Sequence, residues 1–71
     1  VDEALGYYSR ALALNPNLTN TRQYLGEAYL QKNEVAKAKI ELAVIERICG
    51  SNACQDYRDL AEVIAKYEAK G

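Results

Sequence analysis

The sequence predicts an all-α chain of four helices in antiparallel helix-turn-helix pairs, a piece of a stacked-repeat array. Three observations lead there. Apolar residues recur at three- and four-residue spacing in four successive segments, the period of a helix with a buried face. Helix-breaking residues separate the segments at Asn15-Pro16, Asn33 and Gly50-Ser51-Asn52. The pattern also recurs at a fixed offset: Ala4, Tyr8 and Pro16 lie 34 positions before Ala38, Leu42 and Gly50, and Tyr57, Leu60, Ala61 and Ile64 lie 35 positions after Arg22, Leu25, Gly26 and Tyr29. A period in that range marks repeats that bury their cores against their neighbours.

The first helix is expected over Asp2 to Leu14, with Leu5, Tyr8 and Leu12 as its apolar stripe and Ala4 and Ala11 beside it. Asp2 is the expected N-cap, since its carboxylate suits the unpaired amides and positive dipole end of the first turn. Pro16 stops the helix, because its ring disfavours a helical conformation at Asn15. The second helix is expected to start near Asn17 or Thr19, either of which can cap it, and to run to about Lys32. Leu18, Leu25 and Tyr29 supply its buried stripe, with Tyr24 and Ala28 close by. Gly26 inside this helix costs roughly 1 kcal/mol of propensity relative to Ala. Close approach of a neighbouring helix is the usual compensation, and Gly26 is expected to meet Ala38 across a tight helix pair. Asn33 ends the helix, being tolerant of the left-handed conformation just past a C-terminus.

The third helix, Glu34 to about Cys49, is apolar on two sides. Val35, Ala38, Leu42, Ile45 and Cys49 form one stripe, and Ala36, Ile40, Ala43, Val44 and Ile48 form another, roughly opposite. Such a helix is expected to be contacted on both faces and to form the middle of the core. Gly50 then supplies a C-terminal cap, and Ser51 or Asn52 the next N-cap. The fourth helix runs to about Ala69, burying Tyr57, Leu60, Ala61, Ile64 and Tyr67, with Arg58, Asp59, Glu62, Lys66 and Lys70 on its solvated arc.

Leu25-Gly26, Tyr29, Ala38 and Leu42 together resemble the tetratricopeptide repeat, a helix-turn-helix unit of about 34 residues with Leu-Gly, an aromatic, Ala, an aromatic and Pro at those intervals. On this resemblance residues 1–16 are the second helix of a preceding repeat, supplying Ala4, Tyr8, Ala11 and Pro16. Residues 17–50 are a complete repeat, and residues 51–71 the first helix of a following repeat or a capping helix. The fold implied is an α-solenoid fragment. Arg22 stands where the family prefers Trp, Leu42 replaces an aromatic, Ile45 replaces Ala and Gly50 replaces Pro. Cores tolerate such swaps when total volume is roughly kept.

The resemblance also implies a function, because the first helix of each repeat in this family lines a concave groove that holds peptides or segments of other proteins. The matching positions are Asn20, Gln23, Glu27, Leu30 and Gln31, followed by Gln55, Arg58, Glu62, Ala65 and Lys66. The set is polar and mixed in sign, unlike a carboxylate clamp built from Lys, Arg and Asn. Glu27 and Glu62 occupy equivalent places, which favours a basic or amide-rich ligand. The plainer reading is a solvated face without a ligand. A structural role is the alternative to the groove, with self-association through the uncovered N-terminal helix giving a homo-oligomer.

Composition limits the remaining possibilities. Nine Lys and Arg against ten Asp and Glu are interleaved along 71 residues, with none of the basic striping a nucleic acid or an anionic membrane requires. The longest apolar run, Leu42 to Ile45, falls far short of the ~20 residues of a spanning helix. The first residue is Val, and no leader-like segment precedes the first helix, so the reading is a fragment or a chain whose leader has been removed; half-repeats at both ends favour a fragment. Neither an enzyme nor a cofactor site is expected: there is no His, no phosphate loop, and no Ser or Cys with a recognisable base. Glu34, Glu41 and Glu46 read as solvated faces with Lys37, Lys39 and Arg47, and the tyrosines as core packing, Tyr7 being the one expected at the surface.

Cys49 and Cys54 flank the turn before the fourth helix. Two thiolates without further ligands leave a zinc site half empty, and their spacing is not that of a thioredoxin-type pair. A structural disulfide is the reading adopted, with two reduced, half-buried thiols as the alternative. The bond would imply a periplasmic or extracellular setting, and its absence a cytoplasmic one.

Overall fold

The fold, described by a computed structural model for residues 2–51 and 54–70, is built from α1 (Asp2–Leu14), α2 (Thr19–Gln31), α3 (Val35–Cys49) and α4 (Gln55–Lys70). Short turns join them, so successive helices run antiparallel. α2 touches each of the other three, α3 touches α2 and α4, and α1 touches α2 alone. The expected central helix was α3. The helix that occupies the centre is α2.

The helix ends show which local signals decide the chain path. α1 closes with Asn15 N–H donating to the Ala11 carbonyl at 2.9 Å, and the Asn15 side chain accepts from the Asn17 amide at 3.2 Å beyond Pro16. α2 ends in a Schellman arrangement: Asn33 stands in the left-handed region at φ 61°, its amide donates to Leu30 at 2.9 Å, and the Glu34 amide donates to Tyr29 at 2.8 Å. Gly50 ends α3 in the same left-handed region, at φ 74°, where a side chain would be strained.

The expected N-caps are not formed. Asp2 lies within α1, and its carboxylate accepts from Lys32 Nζ at 2.6 Å. Leu18 occupies the cap position of α2 without a side-chain bond. Thr19 is the first residue within α2, and its hydroxyl donates to Asp56 Oδ2 at 2.6 Å. Before α4, Arg58 N–H donates to the Cys54 carbonyl at 3.2 Å, so the first helical bond closes on Cys54 rather than Ser51. Asn52, the other expected cap, lies outside the described residues.

Leu30, Ala38, Ile45, Leu60 and Ile64 form the buried core, with Ala38, Ile45 and Leu60 sealed completely from solvent. The first stripe of α3 therefore packs as expected. The second does not: Ala36, Ile40 and Ala43 are exposed, and Val44 and Ile48 are half-buried. Both neighbours of α3 lie against its other face, and a second apolar stripe alone recruits nothing to cover it.

Gly26 and Ala38 are both buried, and the nearest atoms to Gly26 are those of Leu60 on α4. A Cβ at Gly26 would stand 2.7 Å from Leu60 Cδ2 and 2.9 Å from Cδ1. Glu41 departs from the solvated reading, because it pairs with Arg22 at 2.8 Å in a half-buried setting. Tyr7 is exposed as expected, whereas Tyr24 is 49% exposed, stacked on Tyr8 with ring centroids 6.2 Å apart.

Candidate functional site

Because Gly26 carries no side chain, α4 lies directly along α2, and the C-terminal halves of the two helices enclose an open groove of about 490 Å³. α2 contributes Glu27, Leu30 and Gln31, spaced three and four residues apart along one face. α4 contributes Val63, Lys66, Tyr67 and Lys70 at the same helical spacing, and Asn33 closes the end where α2 stops. Leu30, only 3% exposed, forms the floor with the half-buried Val63 and Tyr67. Polar groups make the rim.

The rim is partly pre-organised. Gln23 Nε2 donates to Glu27 Oε2 at 3.0 Å, fixing that carboxylate from one turn away. Lys66 pairs with Glu62 at 2.8 Å. The hydrogen bond between them, and then their opposite charges, lower the Glu62 pKa below the ordinary glutamate value and raise that of Lys66. The Tyr67 hydroxyl donates to Asn33 Oδ1, tying the α4 side of the groove to the end of α2. Lys70 makes no ion pair among the described residues.

Of the groove positions expected from sequence, Glu27, Leu30, Gln31 and Lys66 come together here, Leu30 as buried floor instead of accessible lining. Asn20, Gln23, Arg58 and Glu62 do not line the groove. Asn20 accepts from the Thr21 amide at 2.8 Å, Gln23 supports Glu27, Arg58 donates to Gln55 Oε1 at 3.4 Å, and Glu62 is held by Lys66. Gln55 and Ala65 are also outside it. Asn33, Val63, Tyr67 and Lys70 complete the lining without having been foreseen. Val63, Tyr67 and Lys70 share with Lys66 a run at i, i+3, i+4 and i+7 that the sequence carries, whereas Asn33 has no such signal.

With Leu30 fully engaged below and the rim charges on both sides, the arrangement can hold an apolar side chain while polar groups fix the neighbouring backbone. Among the described residues, no cluster of His, Cys, Asp and Glu is arranged to hold a metal ion, and no helix is long and apolar enough to cross a membrane. A second hollow, of about 220 Å³, lies along α1 between Tyr7, Arg10, Ala11 and Leu14.

A family model described as tetratricopeptide repeat matches residues 1–48, from the start of α1 to the last turn of α3. Comparison with curated proteins and with solved structures gives no match.

Proposed function

Because the chain belongs to the tetratricopeptide repeat family, a family of protein-interaction modules, we propose that it binds a peptide or extended protein segment in the groove between α2 and α4. The observation that carries this reading is the combination of a sealed apolar floor at Leu30 with a rim of amides and charges, Gln31, Asn33, Glu27 and Lys66. An apolar side chain of the ligand rests on Leu30, Val63 and Tyr67. Gln31 meets the ligand's backbone amide groups, and the opposite charges of Glu27 and Lys66 orient it. The module is non-catalytic, a scaffold requiring neither metal nor cofactor, with a protein partner rather than a nucleic acid or a membrane.

The same reading treats residues 1–16 as the second helix of a preceding repeat, 17–50 as one complete repeat, and 51–71 as the first helix of the next. The 35-residue offset and the Leu60 approach to Gly26 support it, since α4 then lies on α2 as successive first helices stack. A screen of an arrayed peptide library tests the groove. Glu27→Ala and Val63→Glu are expected to change the bound set or abolish binding, and Arg58→Ala to leave it intact. Identical binding by the parent and both groove variants counts against the proposal.

A second reading, self-association through α1, draws on one specific observation: Tyr7 and Leu14 on that helix are 68% and 89% exposed. Burying such residues on a partner would gain apolar contact. Sedimentation at high concentration decides it, because a monomer that binds no hydrophobic dye leaves the idea without support.

A further inference from the structure

The Cys49–Cys54 bond sits where α4 is rooted. Cys49 is the last residue of α3, and the Cys54 carbonyl accepts the first helical bond of α4 from Arg58 N–H. Five positions apart, with their Cα atoms separated by 6.3 Å, the two residues are joined by a disulfide. Both are half-buried against the core formed by Ile45, Leu60 and their neighbours.

α4 is otherwise held by its apolar face and a few polar ties. Leu60 and Ile64 enter the core, with Tyr57, Val63 and Tyr67 packed against it. Thr19 bonds Asp56 near its start, and Lys39 with Glu68 at 2.9 Å and Asn33 with Tyr67 hold its far end. Four groove residues, Val63, Lys66, Tyr67 and Lys70, ride on this one helix. The groove therefore exists only while α4 lies on α2.

We propose that the Cys49–Cys54 disulfide is a redox-sensitive latch on α4. Closed, it keeps α4 docked and the groove formed; opened to two thiols, it lets α4 leave α2 without the rest of the fold coming apart. The latch stands on the geometry of α4 alone, and only its consequence for ligand binding rests on the groove reading above.

The reductant is a dithiol, small or proteinaceous. One of its thiolates attacks Cys49 Sγ, breaking the sulfur–sulfur bond and leaving the pair held as a mixed disulfide while Cys54 departs as a thiolate. The dithiol's second sulfur then displaces Cys49, so the reductant ends as a disulfide and the protein gains two electrons and two protons. Departure of Cys54 is the favoured direction, because its charge then lies at the amino-terminal end of α4, beside unpaired amides. The closed loop is short. Chain entropy gives its opening about a 40-fold change in the balance between constrained and free states, enough to loosen α4 while α1, α2 and α3 keep their contacts with one another.

Native-state hydrogen exchange across a urea series tests the latch on the full chain, oxidised and in excess dithiol, with the Cys49→Ser/Cys54→Ser variant as a third sample. In the oxidised protein the α4 amides are expected to share the steep urea dependence of α2 and α3. After reduction they exchange about 40-fold faster through an opening with shallow urea dependence, while α2 and α3 keep theirs. The double variant behaves as the reduced protein and ignores dithiol. One common urea dependence for all helices in both redox states overturns the proposal, as does exchange indifferent to reduction or a reduced protein that unfolds as a whole. Failure of the peptide screen, by contrast, leaves this result untouched.

Discussion

Arg22 and Glu41, on α2 and α3, meet at 2.8 Å with only 17% and 12% of their side chains exposed. The same guanidinium donates through Nε to the Pro16 carbonyl at 2.9 Å, so one side chain ties the turn after α1 to the body of α3. Tetratricopeptide repeats prefer a Trp at this position. Here a forked, charged donor bridges the two helices through hydrogen bonds rather than through aromatic bulk.

Removing either partner strands the other in a poorly hydrated place. Arg22→Leu is therefore expected to cost about 1–3 kcal/mol of unfolding free energy. A double-mutant cycle with Glu41→Gln should return a coupling above the ~0.2–1 kcal/mol of exposed pairs. Denaturant unfolding of the four proteins measures both, and additive losses would show that the pair is incidental.

The two stripes of α3 predict opposite responses to substitution. Ile45→Ala, in the sealed stripe, should cost about 2–5 kcal/mol, because it removes buried methylenes and leaves a cavity. Ile40 is 59% exposed, so Ile40→Lys should change stability by no more than about 0.5 kcal/mol. Thermal melts of both variants decide which face the fold uses, and a large loss from Ile40→Lys would place a partner over that face.

The Asp2–Lys32 pair should make α1 docking depend on pH at both extremes. The hydrogen bond to Lys32, then the opposite charge, lowers the Asp2 pKa below its ordinary 3.8, so the contribution is present above that value and lost as pH falls through the depressed one. The same two causes raise Lys32 above its ordinary 10.5, so its contribution is complete below that value and lost as pH rises through the raised one. Both groups are exposed, and the effect should be small and flattened by salt. Asp2→Asn should melt earlier than the parent near neutral pH and together with it in strong acid or strong base. A difference that persists unchanged at the extremes would refute the pairing.

The helices were legible in the sequence because their boundaries are set locally. Pro16, Asn33 and Gly50 each act through their own backbone, and α1 to α4 begin and end within a few residues of where those punctuators put them. What sequence could not supply were choices made at long range. Thr19 bonds Asp56, 37 positions on, and the cap position of α2 falls to Leu18. α3 carries two apolar stripes, and only the placement of α2 and α4 selects the one that is covered. The groove was half legible for the same reason. Glu27, Gln31 and Lys66 follow from the repeat pattern, but which run of α4 faces the groove, here Val63, Tyr67 and Lys70, is set by how α4 packs against Gly26.

Stacking of α4 on the bare backbone of α2 is the claim on which the groove and the latch both depend, and two glycine substitutions measure it together. Gly6 on α1 has nothing within 4 Å of an added Cβ, so Gly6→Ala should stabilise by the ordinary helix gain of about 0.5–1 kcal/mol. Gly26→Ala should do the reverse, because the added methyl meets the sealed Leu60 at 2.7 Å and the overpacking, about 1–3 kcal/mol, outweighs that gain. A Gly26→Ala protein less stable than its parent is the predicted result; one stabilised as much as Gly6→Ala would contradict the account.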